Sequence, residues 1–272
     1  MMTILVTGAT GNIGRKVVDH LLDGGAQQVR ALTVNPHRAA LPPEVEVVRG
    51  YVGDPGSLDG VFEGVEQMYL APVPDTAGDV ASRAAAAGVE HIVDLAGAEG
   101  SWWYAVEEGV EASGAAWTHL EPGEFMENTS VWAEQIRTTG QVRDAFGHAR
   151  NAMIALDDVA AVAAAVLLGA GRRNTSYPLT GPESLSKVEK VQRLAAGLGR
   201  RLEFIEVSRS EAIAQLEPQM GEYAEWYVGT AQDADADWQP VVPTVAELTG
   251  RPAITLSQWA GLNARQFTEP RG

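Results

Sequence analysis

The segment Thr7-Gly8-Ala9-Thr10-Gly11-Asn12-Ile13-Gly14 constrains this chain more than any other. A short apolar run, Thr3–Val6, precedes it, and a helical stripe of Ile13, Val17, Val18, Leu21 and Leu22 follows, closed by Gly24-Gly25. Gly8, Gly11 and Gly14 therefore sit in a strand–turn–helix setting and fit G-x-x-G-x-x-G, a variant of the dinucleotide fingerprint. The first glycine permits a tight turn, the second lets the backbone approach a pyrophosphate, and the third lets helix and strand pack closely. The helix start then turns unpaired N–H groups and the positive end of its dipole toward the phosphates.

The alternation continues beyond the motif. Residues 29–33, 45–48, 67–71, 91–95 and 117–120 read as strands, and 57–63, 80–87 and 102–113 as the helices between them. This succession predicts an α/β protein: a doubly wound parallel-sheet Rossmann fold with a smaller α/β C-terminal lobe. The expected division is a dinucleotide-binding domain over 1–155 and a substrate-side lobe over 156–272, interleaved with the first. In the second half, Asp157 or Asp158 is expected to cap an alanine-rich helix through Leu168, and 176–179 and 202–207 read as strands. Ser186-Lys187-Val188-Glu189 and Ser208–Glu211 carry the capping-box pattern. Residues 233–237, Asp-Ala-Asp-Ala-Asp, read as a solvated acidic loop, and Pro243-Thr244 opens a final helical segment.

Charge and composition narrow the partners. The formal net charge of -16 repels phosphate backbones and anionic lipid, so nucleic acid is disfavoured and any pyrophosphate must be held locally. No apolar run is long enough for a membrane span, and the chain enters its first strand without a basic leader, so a cytoplasmic protein is expected. The absence of cysteine removes disulfides, thiolate metal sites and a thiol nucleophile, and no His/Asp/Glu grouping has metal-ligand spacing.

Several further segments carry a resemblance: 4–22, 29–33, 44–50 and 87–93, then Glu121-Pro122-Gly123-Glu124-Phe125-Met126-Glu127-Asn128, Leu156-Asp157-Asp158-Val159-Ala160, Leu179-Thr180-Gly181-Pro182-Glu183, and 248–252. Over nearly its whole length the chain resembles the NmrA-like group of atypical short-chain dehydrogenases. The resemblance implies a Rossmann domain, a small C-terminal lobe and a cleft between them. It also implies a function among NAD(P)H-dependent quinone reductases, other reductases, or redox-sensing regulators that bind cofactor without consuming it. Motif and resemblance together place the cofactor on Gly8, Thr10, Gly11, Asn12, Ile13, Gly14, Thr33, Arg38, Pro122 and Gly123.

The departures from the family are informative. Many NADP-binding relatives carry an arginine just after strand two; here that place is Val34, followed by Asn35-Pro36-His37-Arg38. With no carboxylate there to favour the bare ribose of NAD, Arg38 and His37 tilt the expectation to NADP(H) over NAD(H). Tyr51 stands where relatives often have an aspartate near the adenine, and either stacks on a base or packs. The alcohol–ketone machinery of Tyr-x-x-x-Lys and Ser is missing: Tyr104 is followed four residues on by Glu108, which opposes a phenolate. Tyr104 and His119 are left as the candidate proton donors.

A quinone needs less help, since its carbonyls accept hydride readily and orientation alone accelerates transfer. Trp102, Trp103, Phe125 and Met126 follow strands five and six, where aromatic side chains either sandwich a planar substrate or pack the fold. Two adjacent tryptophans cannot both face inward on one helix. The sequence thus points to an NAD(P)H-dependent reductase of a quinone or planar aromatic, polyketide-like small molecule, acting without a Tyr-x-x-x-Lys pair and either alone or within an oxygenation step. The alternative is a non-catalytic NAD(P)-sensing regulator acting through a protein partner.

Overall fold

The computed structural model describes residues 2–97, 100–233 and 239–269. In chain order the elements are β1 (Thr3–Val6), α1 (Gly14–Asp23), β2 (Gln28–Thr33), β3 (Glu46–Arg49), β4 (Gln67–Leu70), α2 (Pro74–Ala86), β5 (His91–Leu95), α3 (Tyr104–Glu111) and β6 (Ala116–Pro122). Then come α4 (Ala133–Thr139), β7 (Gln141–Asp144), β8 (Arg150–Asn151), α5 (Leu156–Leu167), β9 (Thr175–Leu179), β10 (Leu185–Ser186), α6 (Lys187–Leu198) and β11 (Glu203–Glu206). The last are α7 (Arg209–Met220), α8 (Tyr223–Asp233), α9 (Thr244–Thr249), α10 (Leu256–Leu262) and α11 (Arg265–Thr268).

Two compact units divide the chain, and they are interleaved in sequence. The first takes Met1–Pro122, Leu156–Leu179 and Thr244–Arg251. It holds a seven-stranded sheet in the order β3-β2-β1-β4-β5-β6-β9, parallel at every pairing. The order reverses between β1 and β4, so the carboxyl ends of those strands open a crevice at a topological switch point. This is the doubly wound architecture that the alternating pattern predicts. The central strands β1, β4 and β5 are buried on both faces, which explains apolar runs such as Ile4-Leu5-Val6 and Met68-Tyr69-Leu70. Leu5, Leu32, Met68, Leu70 and Ile92 share one core with Val80 and Ala84 of α2 and Val106 and Val110 of α3. The alanine-rich α5 packs against α1 and β4 to β6, small side chains permitting close approach.

The second unit takes Gly123–Ala155, Thr180–Pro243 and Pro252–Gly272. It contains two small sheets, β10 antiparallel to β8 and β11 parallel to β7. Met126, Trp132, Ile136, Val142, Leu194, Leu256, Trp259 and Phe267 build its main core. The Ser186–Glu189 capping box forms as its sequence demands, with Ser186 Oγ accepting from the Glu189 N–H and the Glu189 carboxylate accepting from the Ser186 N–H.

Local differences from the sequence expectation have local causes. The helix expected over 57–63 is instead a 3-10 turn, Pro55–Leu58, because Gly60 and Gly64 adopt positive φ and break any continuation. The helix expected from Trp102 begins at Tyr104, leaving both tryptophans in the preceding turn. Asp157 and Asp158 lie within the first turn of α5 and not at its cap, drawn instead into ion pairs with α1 and Arg251. Asp233 ends α8, and the rest of the acidic loop lies outside the described residues. Among the described residues no helix is long and apolar enough to cross a membrane.

Candidate active site

The glycine loop is stitched to both neighbours of β1. The Thr7 N–H donates to Tyr69 O of β4, and Thr7 Oγ1 accepts from the Ala71 N–H at 2.7 Å. On the other side the Ala9 N–H donates to Leu32 O, and the Thr10 and Thr33 hydroxyls are hydrogen-bonded at 3.0 Å. The outward residues Gly8, Thr10, Gly11 and Asn12 are left exposed over the switch point.

Two of the glycines are required by geometry. Gly8 has φ +58, and a Cβ there would sit 2.9 Å from Ala71 Cβ. A Cβ on Gly14 would lie 2.3 Å from Gly8 O, so helix α1 can start this close to the loop only with hydrogen at that position. Helix α1 starts at Ile13-Gly14 with no side-chain cap and no acidic residue in its first turn. Its leading N–H groups and its dipole are therefore available to an anion, and no carboxylate competes for them. This donor set fits a dinucleotide pyrophosphate: backbone N–H groups, the hydroxyl of Thr10, and no fixed negative charge.

The rim next to it lies beyond β2. Thr33 ends the strand, Val34 is exposed, and a 3-10 turn, Pro36–Arg38, carries His37 and Arg38 into solvent. Among the described residues neither His37 nor Arg38 has an ion-pair partner. Arg15, which the sequence reading passed over, clasps this turn to α1: its guanidinium donates to Ala40 O at 2.7 Å and to Ala39 O. The clasp is legible only in three dimensions, because the acceptors are backbone carbonyls.

The candidate proton donors have contrasting surroundings. Tyr104 opens α3, half-buried, with Glu108 one turn later. His119 is wholly buried: its Nδ1–H donates to Asp94 Oδ2 at 2.8 Å, and its ring stacks on Trp117 at 4.2 Å. Parallel register makes this pair, since His119 of β6 lies beside Asp94 of β5. Burial by itself lowers the His119 pKa, but the bond to Asp94 and the charges of Asp94, Glu107 and Glu111 outweigh it and hold the ring above its ordinary value. Burial likewise lifts the Asp94 carboxyl, against the pull of His119. Glu107, in the first turn of α3, is pushed up to about 7 by burial, its neighbours Glu121, Asp94 and Glu111 adding to the rise that His119 opposes.

Of the aromatic residues, Trp102 and Trp103 are 66% and 42% exposed, their rings 5.0 Å apart, which removes the conflict of two adjacent tryptophans facing one core. Pro122 ends β6, the second strand beyond β4. In the second unit, Gly123 lies against the Gln239 side chain, Phe125 is half-buried with its backbone bridged to Ile154, and Met126 is buried among core residues. Met126 also lines a small crevice with Asn151, Met153, Glu183, Leu185 and Leu256. Among the described residues no cluster of His, Cys, Asp and Glu could hold a metal ion.

Comparison with known proteins gives concordant results. The NAD(P)H-binding family matches residues 8–169. A (4-alkanoyl-5-oxo-2,5-dihydrofuran-3-yl)methyl phosphate reductase from Streptomyces griseus is 38% identical, over 97% of this chain and 99% of its own length. An NAD(P)H azoreductase from Xenophilus azovorans is 32% identical, again over 97% of this chain and 99% of its own. Among solved structures, an NADPH-dependent quinone oxidoreductase from Escherichia coli superposes with a TM-score of 0.81 at 26% identity, covering 96% of this chain and 100% of that one.

Proposed function

We propose, on the premise that this chain belongs to the NAD(P)H-binding family and is an NAD(P)H-dependent oxidoreductase, that its substrate is a quinone or a related planar, electron-poor conjugated acceptor. The relatives support the class. An azo bond, a quinone and an oxo-dihydrofuran each offer a conjugated, electron-poor π-system, and none of the three names is a simple ketone reductase.

The observation that carries the reading is the state of the acid–base residues. A ketone reductase must hold a proton donor at the substrate oxygen. Here His119 is fully buried on Asp94, and Tyr104 is followed by Glu108 where a lysine would lower its pKa. A quinone or extended enone relaxes to a stabilised anion that solvent protonates, so binding and orientation suffice. When bound, the nicotinamide supplies the hydride. The chain's part is to seat the pyrophosphate at the glycine loop and the start of α1, with Thr10 braced by Thr33, and to keep a competing carboxylate out of the first helical turn. Arg38 and His37, exposed beside Val34, favour a cofactor bearing a 2′-phosphate, so NADPH is the preferred donor. Trp102 and Trp103, exposed past the end of β5, offer flat surface to the acceptor.

The test is consumption of NADPH and NADH with benzoquinones, naphthoquinones, an azo dye, an oxo-dihydrofuran and simple ketones, with oxygen present and excluded. Turnover with the planar acceptors and none with the ketones is expected. Faster use of NADPH should fall toward that of NADH in Arg38→Ala. An oxygenated product formed only in air would place the reduction within an oxygenation step. Saturable binding of both cofactors with no turnover would overturn the reading and make the protein a cofactor sensor.

A further inference from the structure

Tyr51 is an exposed aromatic residue that the fold has gone to some length to hold still. Its backbone is fixed from three directions: its N–H donates to Ser57 Oγ at 2.9 Å, and its carbonyl accepts from the Asp54 N–H at 2.9 Å and from the Ser57 hydroxyl. The same hydroxyl lies 2.7 Å from Asp54 O, closing residues 51–54 into a tight turn. The edge of the Tyr51 ring lies against Gly53, where a Cβ would come within 2.4 Å of Cε1, 2.6 Å of Cζ and 2.9 Å of the phenol oxygen. Any side chain at position 53 would therefore push the ring out of its seat. Yet the tyrosine remains 51% exposed, with no partner for its ring among the described residues.

Its place in the sheet gives that exposure a direction. Thr33 pairs with Arg49, and the Gly50 N–H donates to Thr33 O, so the residues that follow, Val34 and Tyr51, leave neighbouring strands at the same carboxyl rim. Val34 is 60% exposed. In a doubly wound sheet this rim, past the second strand, is where the adenosine half of a dinucleotide lies. Val34 is aliphatic and Tyr51 carries an aromatic ring, so the pair offers flat apolar surface to a base.

We propose that Tyr51, seated on Gly53 and accompanied by Val34, receives the adenine ring of the cofactor by stacking, so that the base is selected by its flat face and not by its hydrogen-bonding edge. The proposal rests on the cofactor reading above. It predicts tolerance of an altered base edge. Hypoxanthine, with a carbonyl where adenine has an amine, presents nearly the same face.

The experiment is a titration of the intact protein, followed by the fluorescence of the reduced nicotinamide and independent of turnover. NADPH, NADH and their deamino analogues, which carry hypoxanthine, are the probes. Tyr51→Ala is expected to weaken NADPH and NADH alike, by about 5- to 100-fold, the range of base–aromatic stacking, while Tyr51→Phe stays within about twofold of the parent. Gly53→Val, which displaces the ring without removing it, should weaken both cofactors in the same sense. Deamino-NADPH should bind the parent within about threefold of NADPH. Thermal melting checks that the variants fold. Equal binding by the parent and Tyr51→Ala would overturn the proposal. So would strong rejection of the deamino cofactor, which would assign the base to an edge reader such as the exposed Asp54. If the parent bound neither NADPH nor NADH, the cofactor reading itself would fall, a result distinct from either of these.

Discussion

Each unit of this protein buries a cluster of charges, and the two clusters are built on opposite plans. In the first, Asp94 and Glu107 share a single imidazole, His119, and three buried atoms have no hydrogen-bond partner among the described residues: Asp94 Oδ1, Glu107 Oε1 and His119 Nε2. In the second, two carboxylates meet two lysines one turn apart on α6. Glu124 accepts from Lys190 at 3.3 Å, from Asn151 at 2.6 Å and from the Tyr227 hydroxyl at 3.3 Å. Asp144 pairs with Lys187 at 2.9 Å and accepts from the Trp132 indole, while Lys187 also donates to Ala145 O. The second cluster is balanced in charge, and each of its carboxylates and lysines has a hydrogen-bond partner; the first has more acid than base and is short of donors.

The difference shows in how protons couple to folding. Glu107, Asp94 and His119 all hold protons more tightly in the folded chain than outside it. Folding of this cluster therefore takes up protons, and its contribution to stability falls as pH rises. In the second unit Glu124 lies below its ordinary value: burial would raise it, but the Lys190 charge and three hydrogen bonds prevail. Burial lowers Lys190 against the attraction of Glu124. Both of these favour the deprotonated form on folding, so what this pair contributes to stability is lost as pH falls.

The largest effect is expected from breaking the balanced cluster. Glu124→Ala would leave Lys190, only 5% exposed at its side chain, as a buried charge without its carboxylate, at a cost of about 3–5 kcal/mol. Lys190→Met should cost clearly less, since Glu124 keeps Asn151 and Tyr227 as donors. Chemical denaturation of both variants gives the comparison. A loss below about 1 kcal/mol in Glu124→Ala would mean that the lysine finds water, and that the second cluster is no more closed than the first.

The next prediction concerns the acid-rich cluster. Glu107→Gln keeps the shape and removes the proton uptake. Below about pH 4.5 the carboxyl is protonated whether folded or not, so the variant should match the parent there. Between the ordinary carboxylate value and about 7 the parent carries a growing penalty that the variant lacks. At pH 8 the variant should be more stable by on the order of 1–2 kcal/mol, or a few degrees in Tm, discounted for solvent screening at the start of a helix. Melting curves from pH 4.5 to 8.5 follow this. A constant difference across the range would show that titration of Glu107 is not its source.

The contrast between the clusters also marks where sequence reasoning stops. The glycine loop, the strand alternation and the Ser186 capping box are legible because each is encoded within a few residues, by turn chemistry or by hydrophobic period. The Asp94–His119 pair joins residues 25 apart, and only the register of β5 against β6 brings them together. A charged residue in the otherwise apolar run His91-Ile92-Val93-Asp94-Leu95 was the available signal, since a strand buried on both faces admits a carboxylate only with a partner. Lys187 and Lys190 look like a solvated helix face in sequence, and nothing local tells that Glu124 and Asp144 arrive from other segments to cover them. The Arg15 clasp on Ala39 and Ala40 is silent for a related reason: backbone acceptors leave no mark on composition. Tyr51 was visible as a residue type, but its two roles, stacking or packing, separate only once its exposure and the missing Cβ of Gly53 are known.

The smallest effect tests whether burial or mere excess of negative charge governs the first cluster. Glu111 belongs to the same group of acids, its carboxylate 3.7 Å from His119 Nε2, yet its side chain is 52% exposed. If total charge were decisive, Glu111→Gln would relieve the cluster about as well as Glu107→Gln. If desolvation is decisive, water already screens this carboxylate, and its removal should change stability by less than about 0.5 kcal/mol at any pH between 5 and 8. The sign separates the two views further. Glu111 helps to hold the His119 proton but also repels the ionised Glu107 and Asp94, so the variant should be slightly weaker below pH 6.5, where the protonated ring is retained, and slightly stronger above about pH 7. Adding 0.5 M sodium chloride to the melting experiment sharpens the result, because salt should erase the small Glu111 effect and leave the Glu107 effect nearly intact. Equal salt sensitivity in both variants would place Glu107 in solvent as well and dissolve the distinction between the two buried clusters.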